Sequence, residues 1–388
     1  MEIPNRAQSG KNELMVEGSS TTPSPPIGTD PPHPPNGGVD RPRWSILFST
    51  PVLLTILLVA ILGSCLVGAY PMSVKDVICI IISHGTGGTE SIPADSRNYL
   101  IWDIRLPRIF LGLVVGAGLS TSGAAIQGLF RNPLADPSLI GITTGAMVFA
   151  VAAILFQPLL LEYLPDQLGY LSVAIAAFAG SLFCTVLVYR LSTSNGRTSV
   201  ITMLLAGIAI TALGGALVGL MTYFSTEEEL RDITFWTLGS LSGANWKIVA
   251  TLALLVGTSL FCLLRVAKDL DLLLLGEREA KYLGVNTQRV KLWVVVSAAL
   301  AVGSCVAMSG AIGFIALVVP HLIRLSRGTL HRPLLINSAL LGAIILILSD
   351  ALARSIIAPV ELPIGILTAL LGAPVFIGIL RQTSHRSF

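Results

Sequence analysis

The chain has 388 residues, 53% of them hydrophobic and 12% charged, with a net charge of +3 and a mean hydropathy of +0.78. Soluble domains carry about 25% charged residues, so this composition excludes one and places the chain in a membrane. The small net charge argues against a nucleic-acid partner. The five cysteines (Cys65, Cys79, Cys184, Cys262, Cys305) are scattered singly, as small apolar residues rather than a disulfide frame or a zinc site.

In chain order, residues 1–43 come first. "TTPSPPIGTDPPHPPNGG" is rich in Pro, Gly and Thr and cannot bury a core, which predicts a disordered cytoplasmic tail. It has no early apolar stretch of the kind a cleaved signal peptide needs, so the apolar run after Trp44 reads as an uncleaved start. Residues 44–388 then predict ten spans, at about 45–68, 108–130, 138–158, 169–189, 199–223, 247–265, 291–309, 312–326, 334–353 and 364–381. The eighth is weak, because "GFIALVVP" offers few apolar residues before Pro320. Merging it with the seventh gives nine spans. With ten spans and both termini in the cytoplasm, 18 of the 25 Lys and Arg residues lie inside, and nine spans weaken that bias.

Residues 131–137, "RNPLADP", follow the second span, and their two prolines predict a bent constriction or a tight turn. Arg105 and Arg108 start that span on the outer side, against the positive-inside trend; interfacial snorkelling is the ordinary reading. Three GxxxG runs, Gly112–Gly116, Gly141–Gly145 and Gly215–Gly219, predict close helix packing, chiefly within one chain.

The segment "DLDLLLLGEREAKYLGVNTQRVKL", residues 269–292, interrupts the apolar pattern with a charged helix former. Leu272, Gly276, Ala280 and Leu283 share one helical face, and Glu277 and Lys281 form an i, i+4 pair on another. Gly276 is a candidate break between two short helices and Gly284 a candidate stop. The pattern suits a solvated loop helix or a docking helix for a cytosolic partner.

The interiors of the predicted spans are nearly free of charge; Asp350 and Arg354 of the ninth, and Arg324 near the cytoplasmic end of the eighth, stand out. An ion-coupled carrier normally needs such groups, so a secondary transporter is disfavoured. There is no GxxxxGK[ST] nucleotide loop, no catalytic triad and no metal-ligand cluster. The chain therefore reads as a pathway powered elsewhere, not an enzyme.

Several blocks carry a resemblance: "RLPRIFLGLVVGAGLSTSGAAIQGLFRNPLADPSLIGITTGA" (105–146), "LLAGIAI" (204–210), "LGEREAKYLGV" (275–285), "SGAIGFIALVVPHLIRL" (309–325), "HRPLLINSALLGA" (331–343), "LSDALAR" (348–354) and "ELPIGILTALLGAPVFIGIL" (361–380). From about residue 44 to 383 the chain resembles the membrane permease subunit of the bacterial ABC importers for iron–siderophore, haem and vitamin B12. The resemblance implies an all-α integral membrane protein with the large type II ABC importer permease fold, ten transmembrane helices and both termini cytoplasmic. It implies a multi-pass protein of the bacterial inner membrane, surrounded by lipid. The implied partners are a second copy of the chain, two cytosolic ATPase subunits and a periplasmic substrate-binding protein. No cofactor is expected on this chain; ATP and Mg belong to the ATPase.

Site residues follow from the same resemblance. The segment at about 268–288 matches the coupling helices that seat in the ATPase, through Leu275, Gly276, Glu277, Arg278, Ala280, Lys281, Leu283 and Gly284. Asn132 and Leu134 match a cytoplasmic gate, with a second gate near Thr198–Thr202. Arg105, Arg108 and Arg354 match the arginines that dock the binding protein. The block "STEEELRDITFWTLGSLSGANW" (225–246) is similar to haem-uptake permeases, so haem is the expected cargo, with ferric siderophore or cobalamin as alternatives. His321 is read as structural, and Met203, Met221, Tyr223 and Met308 as packing residues before porphyrin contacts.

Overall fold

A computed structural model describes residues 43–68, 70, 72–85, 96–158, 171–357 and 360–384. The tail expectation for residues 1–43 falls outside these except for Arg43, which begins a 3-10 turn, Arg43–Phe48. The helices are α1 (Thr50–Leu66), α2 (Val74–Gly85), α3 (Ser96–Tyr99), α4 (Leu106–Phe130), α5 (Ile142–Leu155), α6 (Ser172–Leu191), α7 (Val200–Phe224), α8 (Glu227–Leu238), α9 (Trp246–Leu273), α10 (Glu277–Tyr282), α11 (Thr287–Ser309), α12 (Ile315–Arg327), α13 (His331–Ala353) and α14 (Ile364–Ser384). Each predicted span coincides with one of them. Among the described residues, six helical stretches are long and apolar enough to cross a bilayer, and three shorter ones are apolar. The protein is a multi-pass membrane protein. Helices α2 and α8 lie between predicted spans.

The seventh and eighth predicted spans are separate helices. Gly310 (φ 70°) and Phe314 (φ 67°) take left-handed backbone and break the path between α11 and α12. Helix α12 spans only 13 residues and carries Pro320 inside, which accounts for its weak apolar signal.

Helix α4 is the centre of the bundle, and small residues put it there. Without a hydrophobic drive between helices in lipid, contact depends on close backbone approach and interhelical hydrogen bonds. A Cβ on Gly116 would lie 2.3 Å from the Gly342 carbonyl oxygen on α13, and one on Gly123 would lie 1.8 Å from the Ala316 carbonyl oxygen on α12. Ser120 donates to the Ser338 carbonyl at 2.7 Å. Gly145 and Gly180 join α5 to α6 in the same way, and Ser259 on α9 donates to the Ser297 carbonyl on α11 at 2.7 Å. The expectation that glycine motifs pack within the chain holds for Gly112–Gly116 and Gly145. Gly215 and Gly219, on α7, face open space.

The bundle has two distinct ends. At one, Trp246 of α9 donates its indole N–H to the Trp102 carbonyl at 2.8 Å and meets the Phe110 ring in a tilted contact. Helix α8 lies at this end. At the other, α9 and α13 are tied by Asp271, which accepts from the His331 backbone N–H at 2.8 Å and lies 2.7 Å from its Nδ1. Helix α10 lies there.

Candidate coupling and gating site

Helix α10 is short because glycines bound it. Gly276 has φ +141°, and a Cβ there would fall 1.7 Å from Glu279 Oε2. At the far end Gly284 is left-handed (φ +86°). Its N–H reaches the Lys281 carbonyl and the Val285 N–H the Ala280 carbonyl, both at 3.0 Å. This is a Schellman stop, with Ala280 and Val285 as its buried apolar contact. The first of the two expected short helices is instead the last turns of α9, which runs unbroken to Leu273.

The small face runs the opposite way from the docking expectation. Gly276 and Ala280 are buried against the bundle, because the i, i+4 apolar pattern marks whichever face packs, and α9 and α11 are adjacent. The outward face carries Leu275, Arg278, Lys281, Tyr282 and Leu283, with Tyr282 90% exposed.

Glu277 faces inward. Its carboxylate lies 2.9 Å from Lys291 Nζ and 3.4 Å from Lys281 Nζ, and accepts from Thr287 Oγ1 at 3.3 Å. Burial pushes this carboxyl up, but the hydrogen bonds and charges of Lys291 and Lys281 outweigh it and hold the group below its ordinary value. Lys291, 1% exposed by its side chain, also donates to the Thr198 carbonyl at 2.6 Å. Thr198 N–H donates to Gln288 Oε1 at 2.9 Å. Lys291 and Gln288 were not singled out by the sequence reading. A lysine near the start of an apolar helix looks like a positive-inside anchor, and only the fold shows that it points inward.

Thr198 ends a two-residue-stranded hairpin, Thr193–Ser194 with Arg197–Thr198. Asn195 and Gly196 are left-handed (φ 52° and 72°), the Asn-Gly turn expected of a tight hairpin. Ser199 then caps α7 by accepting from the Thr202 N–H. A cavity of about 490 Å³ lies between this hairpin, the end of α4 and Glu277, with Arg131, Thr198 and Leu273 in its walls. Asn132 and Leu134 sit in the adjoining turn and are not among its walls. Arg131 (φ 49°) ends α4, and Asn132 Oδ1 accepts from the Leu134 N–H at 2.9 Å. The two candidate gate segments therefore flank one cavity, beside the coupling segment.

At the α8 end the three candidate docking arginines come together, but their guanidiniums are engaged internally. Arg108 pairs with Asp350 at 2.9 Å and, through both oxygens, with Glu361 at 2.8 and 2.9 Å. Arg354 lies 3.0 Å from Asp350 and donates to Ser64 Oγ at 2.8 Å. Arg105 donates to the carbonyls of Cys65 and Tyr70. All three are buried, as is Asp350; Glu361 is the half-exposed member, its side chain 44% accessible. Sequence reasoning marked Asp350 and Arg354 as charges in an apolar span, without pairing them, and missed Glu361.

The 225–246 block forms α8 behind a capping box of Thr226 and Glu229. A cavity of about 370 Å³ beside it is lined by Asp232, Phe235, Trp236 and Met308 among others. Met203 is wholly buried in the core and Tyr223 is 81% exposed.

The FecCD transport family profile matches residues 56–382. The chain belongs to the FecCD transport family. This FecCD chain is 43% identical to the hemin transport system permease of Yersinia pestis, over 91% of its own length and 99% of the relative's. It is 40% identical to the cobalamin import system permease of Halobacterium salinarum, over 76% of each. Its structure matches that of a metal-chelate-type ABC transporter in an inward-facing conformation with a TM-score of 0.73 and 33% identity, over 85% of this chain and 97% of that one. The FecCD chain is thus a permease of the ABC-importer type.

Proposed function

We propose that this chain is the ten-span permease subunit of an ATP-driven importer that carries haem across the bacterial inner membrane, with both termini in the cytoplasm. The observation that carries the cargo is the 43% identity to a hemin permease across nearly the whole of both chains. Cobalamin is the second reading, because a cobalamin permease is 40% identical over a shorter share. Growth of a strain lacking this chain on haem, ferric siderophore or cobalamin-dependent medium decides. Loss of growth on haem alone supports haem, and loss only on another chelate overturns it.

The chain works as a homodimer. Support comes from α7, where a Cβ on Gly215 or Gly219 would meet nothing within 4 Å among the described residues and where Ile201, Leu205 and Leu213 are more than half exposed. Two cytosolic ATPase subunits hold ATP and Mg and drive the cycle; this chain binds no cofactor. The coupling segment meets the ATPase through the outward face of α10, with Leu275, Arg278, Lys281, Tyr282 and Leu283, while Gly276, Ala280 and Gly284 set its seat and ends. Asn132 and Leu134 with the Thr198 hairpin form the cytoplasmic gate.

The periplasmic binding protein docks at Arg105, Arg108 and Arg354. An acidic side chain of the binding protein competes with half-exposed Glu361 for Arg108, a charge-assisted and salt-sensitive contact. Glu361→Gln then tightens docking at low salt, measured by binding of the substrate-binding protein to the reconstituted complex. Unchanged or weaker docking removes this role.

A further inference from the structure

The permease reading leaves open how movement of a coupling helix reaches a gate. We propose that Lys291 is the positioning residue that transmits it, holding α10 and the gate hairpin to one buried ammonium group. Three contacts support this. Lys291 Nζ lies 2.9 Å from Glu277 Oε2, the first residue of α10. It also lies 2.6 Å from the Thr198 carbonyl, the last residue of the hairpin. Gln288, three residues earlier on the same helix, closes a parallel link by accepting from the Thr198 N–H at 2.9 Å.

The chemistry makes the link stiff. An ammonium ion removed from water must keep all of its partners. The only groups facing Lys291 Nζ by hydrogen bond or ion pair among the described residues are the Glu277 carboxylate and the Thr198 carbonyl. Separating α10 from the hairpin would strand a buried charge, so the two move together. The hairpin is too short to absorb the displacement internally. Thr193 and Thr198 are bridged through their hydroxyls at 2.9 Å, and Ser199 donates its N–H to the Ser192 carbonyl at 2.9 Å. Ser199 also caps α7, so a displacement of α10 is delivered to the start of α7. Among the described residues of the single chain, α7 is the least buried of the six long apolar helices.

The inference rests on the permease reading, and the test separates the two. The full complex with its ATPase is reconstituted in liposomes. Transport, basal ATP hydrolysis and hydrogen exchange of the 193–198 amides are compared with and without ATP plus vanadate. Wild type should transport, and its hairpin amides should change protection when ATP is trapped. If wild type shows no ATP-driven transport, the permease reading itself fails. Lys291→Met should keep basal hydrolysis, lose at least tenfold in transport, and lose the ATP-dependent change in the hairpin. Gln288→Leu, which cuts only the parallel link, should lower transport severalfold and keeps the test open if Lys291→Met does not assemble. Wild-type transport, or an unchanged ATP response of the hairpin, in an assembled variant overturns the proposal.

Discussion

Asp350→Asn tests the buried charge cluster most directly. Asp350 is 2% exposed and serves two guanidiniums, Arg108 at 2.9 Å and Arg354 at 3.0 Å. Removing its charge leaves Arg108 with Glu361 and Arg354 with Ser64 and backbone carbonyls. Breaking a buried ion pair by deleting one partner costs about 3–5 kcal/mol. The lower end applies here, because the bidentate contact to Glu361 survives. At about 1.4 kcal/mol per factor of ten, the unfolding equilibrium shifts by roughly two orders of magnitude. The assay is denaturation in mixed detergent–SDS micelles, followed by the fluorescence of the five tryptophans. Glu361→Gln is the contrast: its side chain is 44% exposed, so its loss should cost at most about 1 kcal/mol. A double-mutant cycle of Asp350→Asn with Arg354→Gln should show positive coupling, since the two groups are in direct contact. Stability of Asp350→Asn within about 0.5 kcal/mol of wild type would refute the assignment of a folded-state ion cluster.

The remaining predictions concern packing, the α10 face and pH. Gly116→Val drives a side chain into the Gly342 backbone and should cost about 3 kcal/mol, whereas Gly219→Val meets open space and should leave protomer stability unchanged while weakening the dimer, read by thermal unfolding and light scattering in detergent. Tyr282→Ala combined with Arg278→Glu should lower ATPase binding about tenfold or more without changing protomer stability, checked by pull-down of the ATPase and thermal unfolding; normal binding would place the contact elsewhere. Because the Glu277 carboxyl is held below its ordinary value of 4.5, its contribution to stability is full above that value and is lost as pH falls through the lowered folded value. The protection factors of the 277–291 amides, taken relative to the intrinsic exchange rate at each pH, should therefore fall on acidification below about pH 4.5 in wild type, and Glu277→Gln should remove that dependence.

Composition and apolar run length alone decided the membrane placement, the helical class and the positions of ten helices, because each helix in lipid must satisfy its own backbone and so announces itself as a local run. The resemblance blocks brought the family into view, and the glycines of α4 marked the most crowded helix. What the sequence did not disclose are the directions in which side chains point. The small face of Gly276 and Ala280 was legible as a packing face, yet its neighbour was the protein's own bundle, and that depends on where α9 and α11 come to lie. Arg105, Arg108 and Arg354 were legible as anomalies in apolar surroundings. That Asp350 pairs with Arg108 and Arg354, and Glu361 with Arg108, follows from bringing together positions up to 253 residues apart in the chain. Lys291 and Thr198, 93 residues apart, carry no local signal of their contact. A local pattern records what a residue prefers; the identity of a partner across the bundle is decided when the helices meet.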